Sequence, residues 1–530
     1  MPRAPLHTAL IAAVLLAAAT LAGGANFRWS SQGDITTMDP HANNESFLNS
    51  QMNMVYDTLT RRGKDYTMKP WLATSWENVS PTKWIVKIRR DAKFSDGTPV
   101  TVEDVIFSHE RARTSDSTFK LYSNQMGAMR KIDDGTIEFT TPVPNPVMHE
   151  SLANISIMSK AWCEKNNSVR PQDFRAKEDT YASRTVMGSG PYLLVAYEPG
   201  VKTLLKKNPN WWGLKEKLLE GNVDTVEYRP VSNQATRMAA LRSGELDFVL
   251  DPPVQDIQKL REDKAFKVWE GSEIRVIFFA FDTHRPELLY SDVKGKNPLK
   301  DVRVRKALYQ AIDVQAIRST VMRGLSQPTA VTLPDLGGNA IPEAVEKRLP
   351  YDPAGAKRLL AEAGYPNGFG FTLNCPNDRY INDEKICVAV SAMWARIGVN
   401  AKLETMPRAQ YFQKLGKLDT SAYMLGWGGG SPDAIWIFKP VLHSRNTQGA
   451  GDGNYGDTKN ARLDELIDAI EGEMDTARRN AMVHEAVKVI QDEVLTIPLH
   501  RQVIPWVSRT GVTVSHQPSN FLNYLWVTVK

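Results

Sequence analysis

The sequence predicts an α/β protein whose lobes are built from discontinuous segments. The C-terminal half alternates strand and helix signals in the order β-α-β-α-β, which is typical of an open α/β sheet. The N-terminal half instead carries short strands and turns of α+β type. At 530 residues the chain exceeds one ordinary hydrophobic core, yet no linker rich in proline, glycine and serine divides it. We therefore expect two or three packed lobes, between which the chain crosses more than once.

The first residues predict export. Arg3 and His7 precede an almost wholly apolar run over residues 9–22, and Gly23-Gly24-Ala25 supplies the small residues that a signal peptidase reads. We expect a signal peptide over residues 1–25, with cleavage after Ala25. The run is short for about 30 Å of hydrocarbon, and no later stretch approaches about 18 uninterrupted apolar residues. Because no cysteine directly follows the cleavage point as a site for a lipid anchor, the sequence favours a soluble protein of the periplasm.

Two short strands and a capped helix are predicted in the N-terminal half. Trp84 to Arg89 alternates apolar and polar side chains, and Ile137 to Thr141 forms a second strand after a turn. A helix is expected over residues 101–111, because Asp104 lies three residues after Thr101 and can complete a capping box. This half is therefore α+β.

The C-terminal half carries the clearest signals. Asp352 is a good N-cap, Pro353 suits the first helical position, and Gly364 is placed to end the helix. Hydrophobic periodicity then predicts a strand over 369–373, a helix over 383–397, a strand over 399–403, a helix over 408–415 and a strand that ends at Trp427. In open α/β sheets ligands bind beyond the carboxyl ends of the strands, so we expect the loops at 374–379 and 428–433 to converge.

The segment Gly-Trp-Gly-Gly-Gly-Ser-Pro-Asp at 426–433 is the strongest candidate for a ligand contact. Its glycines let a ligand approach the main chain closely, and Trp427 offers a rigid face for packing. The alternative is a glycine-rich surface loop beside a core tryptophan. Because a second loop is expected at the same edge of the sheet, the pattern favours a ligand contact.

Three cysteines in an exported protein predict one disulfide and one free thiol. Cys375 and Cys387 lie twelve residues apart and are expected to pair, which would stabilise the fold by about 2 to 3 kcal/mol. Cys163 would then be free and buried beside Trp162. A zinc site is the alternative, but no histidine lies near the pair, so we expect neither a metal nor a cofactor.

Charge and motifs exclude several classes of function. The net charge of +5 is scattered rather than clustered in a stripe, so a nucleic-acid partner is not expected. The chain contains no Gly-x-Ser-x-Gly, no His-Glu-x-x-His and no phosphate-binding Gly-x-x-x-x-Gly-Lys-Ser/Thr motif, and its nine histidines are dispersed. The sequence therefore predicts a protein that is not an enzyme.

Six segments, in order along the chain, resemble the motifs of a known family. They are Met38-Asp39-Pro40-His41, DGTPVT at 96–101, GSGPY at 188–192, RSGELD at 242–247, PLKDVRVRKAL at 298–308 and LLAEAGY at 359–365. The set resembles the extracellular solute-binding protein family 5, the dipeptide, oligopeptide and nickel receptors of ABC importers. Each motif alone is weak, whereas the ordered set spans essentially the whole mature chain.

The resemblance implies a bilobed periplasmic binding protein of type II that closes on its ligand about a hinge, like a Venus flytrap. Lobe I would comprise residues 26–69, 186–278 and 500–530, with a small extra domain over 70–185 inserted in it. Lobe II would hold residues 279–499. Such a receptor is a monomer that captures a peptide or peptide-like solute and delivers it to the permease subunits of an ABC importer in the inner membrane.

The resemblance also implies ligand contacts at matching positions. The Trp-Gly turn matches most firmly, while the loop at 43–46 can also be an N-capping loop, the loop at 251–253 a plain turn and Tyr122 a core residue. The candidate ligand-binding residues are Trp427, Gly428, Gly429, Gly430, Asp433, Asn377, Asp378, Arg379, Asn44, Glu45, Asp251 and Tyr122.

One position departs from the family. In peptide receptors of this family an aspartate about three residues after the tryptophan receives the peptide ammonium group, whereas this chain has Gly430. A desolvated ammonium without a carboxylate loses a hydrogen bond worth about 1.5 to 3 kcal/mol. Either Asp433 or Asp378 takes that role, or the ligand has no ammonium group at its end.

Two alternatives remain open from the sequence. An exported hydrolase would need a carboxylate pair, for which Asp251 and Asp433 would have to face each other across a cleft. A nickel or metallophore receptor would bind a metal that is already chelated, and the candidate residues nearest the expected cleft are Arg379, Arg408 and His443.

Overall fold

The structure is a computed structural model that describes residues 24–334, 341–428, 431–447 and 449–530. The first segment begins the first lobe. Its elements are β1 (Ala25–Ser31), α1 (Ser46–Val55), β2 (Thr60–Arg62) and β3 (Met68–Pro70). Helix α1 begins after Glu45, whose carboxylate accepts a hydrogen bond from the Leu48 backbone N–H at 2.9 Å. An acidic side chain at this position satisfies a backbone donor that the helix itself leaves unpaired.

A separate four-stranded antiparallel sheet follows. Its strands β4 (Ala73–Ser80), β5 (Lys83–Ile88), β6 (Ala128–Asp133) and β7 (Thr136–Thr140) lie in the order β4-β5-β7-β6, and its helices are α2 (Val102–Arg113), α3 (Lys120–Met126), α4 (Met148–Ser151) and α5 (Lys160–Lys165). The predicted strands and the predicted capping box of Thr101 and Asp104 are confirmed. Alternate residues of β5, such as Trp84 and Val86, enter one hydrophobic core because successive side chains of a strand point to opposite faces.

The chain then returns to the first lobe. This part contains β8 (Tyr192–Glu198), β9 (Lys202–Lys207), β10 (Val223–Pro230), α6 (Gln234–Ser243), β11 (Phe248–Leu250), α7 (Ile257–Glu262) and β12 (Phe266–Phe281). Strand β1 lies parallel to both β10 and β11, so the first and third segments of the chain share one sheet.

The second lobe contains the predicted β-α-β-α-β unit. Its elements are α8 (Val302–Gln310), α9 (Val314–Ala316), β13 (Ser326–Pro328), α10 (Pro353–Glu362), β14 (Phe369–Pro376), α11 (Asp383–Ala395), β15 (Val399–Met406), α12 (Arg408–Gly416), β16 (Ala422–Trp427), α13 (Ile435–Ile437), α14 (Ala461–Gly472) and α15 (Thr476–Asp492). Strands β15, β14 and β16 are adjacent and parallel, and Gly364 follows α10 with a φ of 92°, which confirms the predicted helix end.

Two long strands connect the lobes. Strand β12 pairs antiparallel with β17 (Thr496–Arg509), and the main sheet runs in the order β15-β14-β16-β12-β17-β11-β1-β10-β9-β8. The register of this pair shifts between Ser272 and Val276 and again between Ile277 and Phe278. Such irregularities interrupt the hydrogen-bond ladder and allow the strands to bend, and residues 272–278 of β12 are called the hinge segment, or hinge, below. The short strands β18 (Val512–Thr513) and β19 (Thr528–Val529) end the chain.

Separate cores lie on the two sides of this hinge. Phe27, Trp29 and Trp506 belong to the core of the first lobe. Beyond the hinge, Phe279 and Phe278 enter two cores on opposite faces of the second-lobe sheet. The predicted lobe boundaries at 278/279 and 499/500 fall within β12 and β17, and the boundaries themselves stay a prediction.

The cysteines have the arrangement expected from the sequence. A disulfide joins Cys375 at the end of β14 to Cys387 on α11, and Cys163 is free and buried. Burial raises the pKa of the Cys163 thiol to about 12, which keeps it protonated and unreactive. In the part of the chain that the structure describes, no helix is both long and apolar enough to cross a membrane.

Candidate ligand-binding site

A cavity of about 320 Å³ lies where the first lobe, the small domain and the hinge meet. Its volume is at the lower end of the range for pockets that bind small molecules. The residues that line it are Pro40, Asn44, Ser46, Asn49, Ser50, Met52, Asn53, Met54, Thr58, Arg61, Arg62, Tyr66, Phe119, Tyr122, Glu150, Ala153, Asn154, Ser156, Glu273, Ile274, Arg275, Gly428, Gln517, Ser519, Phe521, Leu522, Asn523 and Trp526.

Helix α1 gives the cavity a polar wall. Asn49 and Asn53 are four residues apart and therefore lie on the same face of the helix. The opposite face is apolar and packs Leu48 and Val55 into the core of the first lobe. Because the helix is fixed by this core, the amide groups on its other face are held in place to bind polar groups of a solute.

Aromatic side chains cover another part of the cavity. Tyr122 and Phe119 come from the small domain, with their ring centroids 6.2 Å apart. The ring of Trp436 in the second lobe does not itself line the cavity but packs 5.8 Å from that of Tyr122. Trp526 and Phe521 of the C-terminal segment complete the aromatic set. These rings can pack against the apolar parts of a bound solute.

The charged residues of the cavity are three arginines and two glutamates. Arg62 pairs with Glu150 at 3.2 Å and donates a hydrogen bond to the Tyr66 carbonyl at 3.1 Å. Arg61 is only 9% exposed and lies over the Trp71 ring at 4.7 Å.

The remaining two charged residues lie in the hinge. Arg275 pairs with Glu273 at 3.1 Å, and the Gln502 amide donates a hydrogen bond to Glu273 at 2.8 Å. Glu273 and Arg275 lie within the first register shift of β12, between Ser272 and Val276, and also line the cavity. The ion pair therefore connects the hinge directly to the binding cavity.

The two loops predicted to converge follow β14 and β16, which are neighbouring parallel strands. The Tyr380 hydroxyl, just after the 374–379 loop, donates a hydrogen bond to the Gly426 carbonyl at 3.1 Å. Gly428 lines the cavity, and a Cβ at this position would lie 3.2 Å from the Cα and Cβ of Arg275. A glycine therefore lets the turn pack closely against the hinge strand. Gly429 and Gly430 lie outside the described residues.

Trp427 is anchored within the second lobe. It is half-buried and packs partly against a second-lobe core, and its indole N–H donates a hydrogen bond to the Trp436 carbonyl at 2.8 Å. It is not among the cavity-lining residues, whereas Tyr122 and Asn44 are. A direct contact between Trp427 and a ligand stays a prediction, and the structure shows in addition that Trp427 holds the segment that carries Trp436.

The two aspartates predicted for the site have other partners. Asp433 is buried and forms a bidentate ion pair with Arg479, with distances of 2.6 and 2.7 Å. Asp251 has a φ of 53°, and its carbonyl accepts a hydrogen bond from Arg237 at 2.9 Å. Burial raises the pKa of the Asp251 carboxyl. The positive charge of Arg237 and a hydrogen bond from Asn520 partly offset this increase. Neither carboxylate lies on the cavity wall.

The remaining sequence candidates have local structural partners. Glu45 caps α1, and the Asp378 carboxylate accepts a hydrogen bond from the Arg408 backbone N–H at 2.6 Å at the start of α12. Asn377 and Asp378 are exposed, and Arg379 stacks near the Tyr380 ring at 5.2 Å. None of these four residues lines the cavity, so their ligand contacts stay predictions.

Comparison with known proteins gives the family. The profile described as "Bacterial extracellular solute-binding proteins, family 5 Middle" matches residues 67–449, which is more than half of the chain. The chain belongs to this family. This solute-binding protein is 27% identical to heme-binding protein A of Haemophilus influenzae over 86% of its own length and 83% of that protein. It is 25% identical to the glutathione-binding protein GsiB of Shigella flexneri over 93% of its own length and 91% of that protein.

Solved structures confirm the bilobed type II fold. HbpA2 from Haemophilus parasuis superposes with a TM-score of 0.81 at 22% identity, covering 96% of this solute-binding protein and 100% of that chain. A protein named AppA from Clostridium difficile gives a TM-score of 0.80 at 17% identity, covering 96% of this chain and 100% of that chain.

The described part of this solute-binding protein contains no group of three or more His, Cys, Asp and Glu residues placed to hold a metal ion. His443 contacts Asp468 at 3.3 Å and Asp464 at 3.7 Å within the second lobe. Neither His443 nor Arg408 lines the cavity, so the metallophore alternative gains no support from them.

Sequence reasoning missed Arg61 and Arg275, which line the cavity, and Trp436, which packs against Tyr122. The doublet Arg61-Arg62 has no distinctive sequence pattern. Arg61 packs against Trp71, which directly follows β3, and this contact is not evident from the sequence. Trp436 follows the Trp-Gly turn by nine residues and could have been suspected only from its proximity to that turn.

Proposed function

We propose that this solute-binding protein captures a small peptide or peptide-like solute in its cavity and delivers it to the permease subunits of an ABC importer. The observation that carries the proposal is the position of the cavity beside the hinge. Glu273 and Arg275 belong to both, so a solute that contacts them can favour one arrangement of the lobes over another. A receptor that changes shape on binding gives the permease a way to distinguish loaded from empty protein.

The chemistry of the cavity suits a peptide-like solute. Amide side chains on α1 can bind peptide groups, aromatic rings can pack against side chains, and the arginines and glutamates can bind termini. The relatives are named for binding glutathione, which is itself a tripeptide, and heme. Glutathione is therefore the first compound to test. We also propose that the protein acts as a monomer in the periplasm after removal of residues 1–25.

The hydrolase alternative is not favoured. It requires Asp251 and Asp433 to act together, but Asp433 is held by Arg479 in the second lobe and Asp251 lies beside Arg237 and Asn520 in the first. A carboxylate held in a buried ion pair is poorly placed to accept a proton from water. The relatives are also named as binding proteins.

A thermal-shift screen tests the proposal. A solute at 100 times its Kd should stabilise the folded protein by about 2.7 kcal/mol and should be recovered chemically unchanged. Mass spectrometry of small molecules that co-purify with the exported protein would identify native candidates for the screen. Conversion of a stabilising compound into a product would contradict the proposal.

A matched pair of variants places the effect in the cavity. Asn53→Trp should fill the cavity and abolish the thermal shift, because Asn53 lines it. Val79→Trp introduces the same side chain at a position that is 51% exposed and should leave the shift unchanged. Equal shifts in both variants would show that the solute binds elsewhere.

A further inference from the structure

Arg61 is a buried cation on the cavity wall whose hydrogen-bonding capacity is unused. Among the residues that the structure describes, its side chain makes no hydrogen bond and no ion pair. The residue is only 9% exposed, and it lines the cavity. A guanidinium carries five N–H donors, and buried polar groups are normally hydrogen-bonded. Arg61 thus holds several donors at the cavity that lack an acceptor.

Its neighbours explain why Arg61 is held there without a partner. One face of the guanidinium lies over the Trp71 ring at 4.7 Å. The nearby Asp57 carboxylate already accepts hydrogen bonds from the indole N–H groups of Trp71 at 2.7 Å and Trp212 at 2.9 Å. Asp57 stabilises the charge of Arg61 only through space, and burial lowers the pKa of Arg61 to about 10. The described part of the protein therefore supplies no hydrogen bond or ion pair that compensates for the desolvation of the Arg61 guanidinium.

The other cavity arginines differ in this respect. Arg62 is paired with Glu150 and Arg275 with Glu273, so their charges are neutralised within the cavity wall. Among the arginines that line the described cavity, Arg61 is consequently the one whose positive charge has no carboxylate in contact. An anionic group that enters the cavity therefore finds its most favourable electrostatic interaction at Arg61.

We propose that Arg61 binds a carboxylate of the transported solute. The planar guanidinium can donate two parallel hydrogen bonds to a carboxylate, which matches both its charge and its shape. A carboxylate carries a single negative charge, whereas a phosphate monoester carries about −1.5 to −2 and would leave excess negative charge close to Glu150 and Glu273. The structure thus favours a monoanionic planar group, such as the C-terminus of a short peptide.

This assignment rests on the proposed function and makes it more specific, and the test distinguishes the two. Glutathione and alanine peptides of two to four residues are titrated by calorimetry, each as the free acid and as its C-terminal amide. The wild-type protein should bind at least one acid about 10- to 100-fold more tightly than the matching amide, because the amide loses a charge-assisted hydrogen bond. The phosphate ester of serine is included to detect a preference for phosphate.

Arg61 variants assign that preference to the residue. Arg61→Gln should weaken binding of the acid by about 10- to 100-fold and leave binding of the amide almost unchanged. Arg61→Lys retains a charge and should lose less affinity for the acid. Arg90→Gln, which removes an arginine whose side chain is 69% exposed, should change neither.

Each other outcome has a definite meaning. If the wild-type protein binds acids and amides equally, or Arg61→Gln weakens both alike, the carboxylate assignment is wrong and the proposed function stands. Tighter binding of the phosphate ester would also overturn it. If the wild-type protein binds no member of the panel, the peptide-like solute and the assignment both fail. The acid-to-amide comparison requires no variant, so a poorly folding Arg61→Gln protein does not prevent the test.

Discussion

The indole N–H of Trp427 donates a hydrogen bond to the backbone carbonyl of Trp436 at 2.8 Å. This bond links the end of β16 to Trp436, whose ring lies 5.8 Å from that of the cavity-lining Tyr122. Trp427 therefore positions an aromatic residue that packs against the cavity-lining Tyr122. Trp427 thus contributes the hydrogen bond of its indole N–H in addition to the packing surface of its ring.

Substitutions of Trp427 separate these two contributions. Trp427→Phe keeps a ring and removes the donor, so we expect a loss of about 0.5 to 1.5 kcal/mol in stability and a small loss of affinity. Trp427→Ala also removes the packing surface and should weaken solute binding by about 2 kcal/mol or more. Calorimetric titration and urea denaturation of both variants provide the measurements. Normal affinity in Trp427→Ala, together with much lower stability, would show that the residue serves only the core.

Asp433 gives a contrasting prediction. Asp433→Asn leaves Arg479 buried without its carboxylate partner and should destabilise the protein by about 3 to 5 kcal/mol. Solute affinity, measured at a temperature where the variant is folded, should change little because Asp433 does not line the cavity. The double variant Asp433→Leu/Arg479→Leu removes both charges and should recover stability. A variant with full stability but weak binding would restore Asp433 as a ligand residue.

The predictable part of this protein is the part encoded by neighbouring residues. The N-cap at Asp352, the proline after it and the glycine at 364 determine α10 locally, and the β-α-β-α-β unit follows from similar signals. The two loops at the sheet edge also follow from topology.

The cavity could not be predicted in the same way. Its wall combines residues from 40–66, 119–156, 273–275 and 517–526 with Gly428, and these are far apart in the sequence. Nothing local distinguishes Arg61 from Arg62, although only Arg62 has a glutamate partner, because that difference depends on the position of Glu150 in another domain. The ion pair of Asp433 likewise depends on Arg479, a partner 46 residues further along the chain.

Closure of the lobes is testable in solution. Strands β12 and β17 lose their regular pairing between residues 272 and 278, which provides a place for bending. We expect the radius of gyration from small-angle scattering to fall when a stabilising solute is added. Asn53→Trp serves as the control because it cannot accommodate the solute. An unchanged scattering curve at saturating solute would contradict a closing receptor.

The disulfide should matter for stability but not for binding. Non-reducing peptide mapping of the exported protein should recover Cys375 and Cys387 in one linked fragment. Replacing both by alanine should cost about 2 to 3 kcal/mol of unfolding free energy, with solute affinity retained. Cys163→Ala is the control for cysteine replacement in a buried site, since that thiol is free. Recovery of the first two cysteines as free thiols would refute the pairing.

Acid sensitivity should depend on His500. This residue lies on β17 and is fully buried, and neither ring nitrogen has a hydrogen-bond partner among the described residues. Burial, together with repulsion from Arg348, lowers the pKa of His500 from 6.5 to about 3. Between these two values the unfolded chain binds a proton at this position and the folded protein does not. Stability is therefore unaffected above pH 6.5 and decreases as the pH falls below it.

His500→Met should reduce that dependence. The contribution of one such histidine is at most about 1.4 kcal/mol per pH unit, so urea denaturation at pH 7.5, 6 and 5 should give a slope that is less steep by roughly that amount in the variant. His41 and His109, whose pKa values burial also lowers to about 3, remain in both proteins and cancel in the comparison. His284→Met, at a side chain that is 46% exposed, should leave the slope unchanged. Identical slopes for His500→Met and the wild-type protein would mean that His500 already accepts a proton in the folded state.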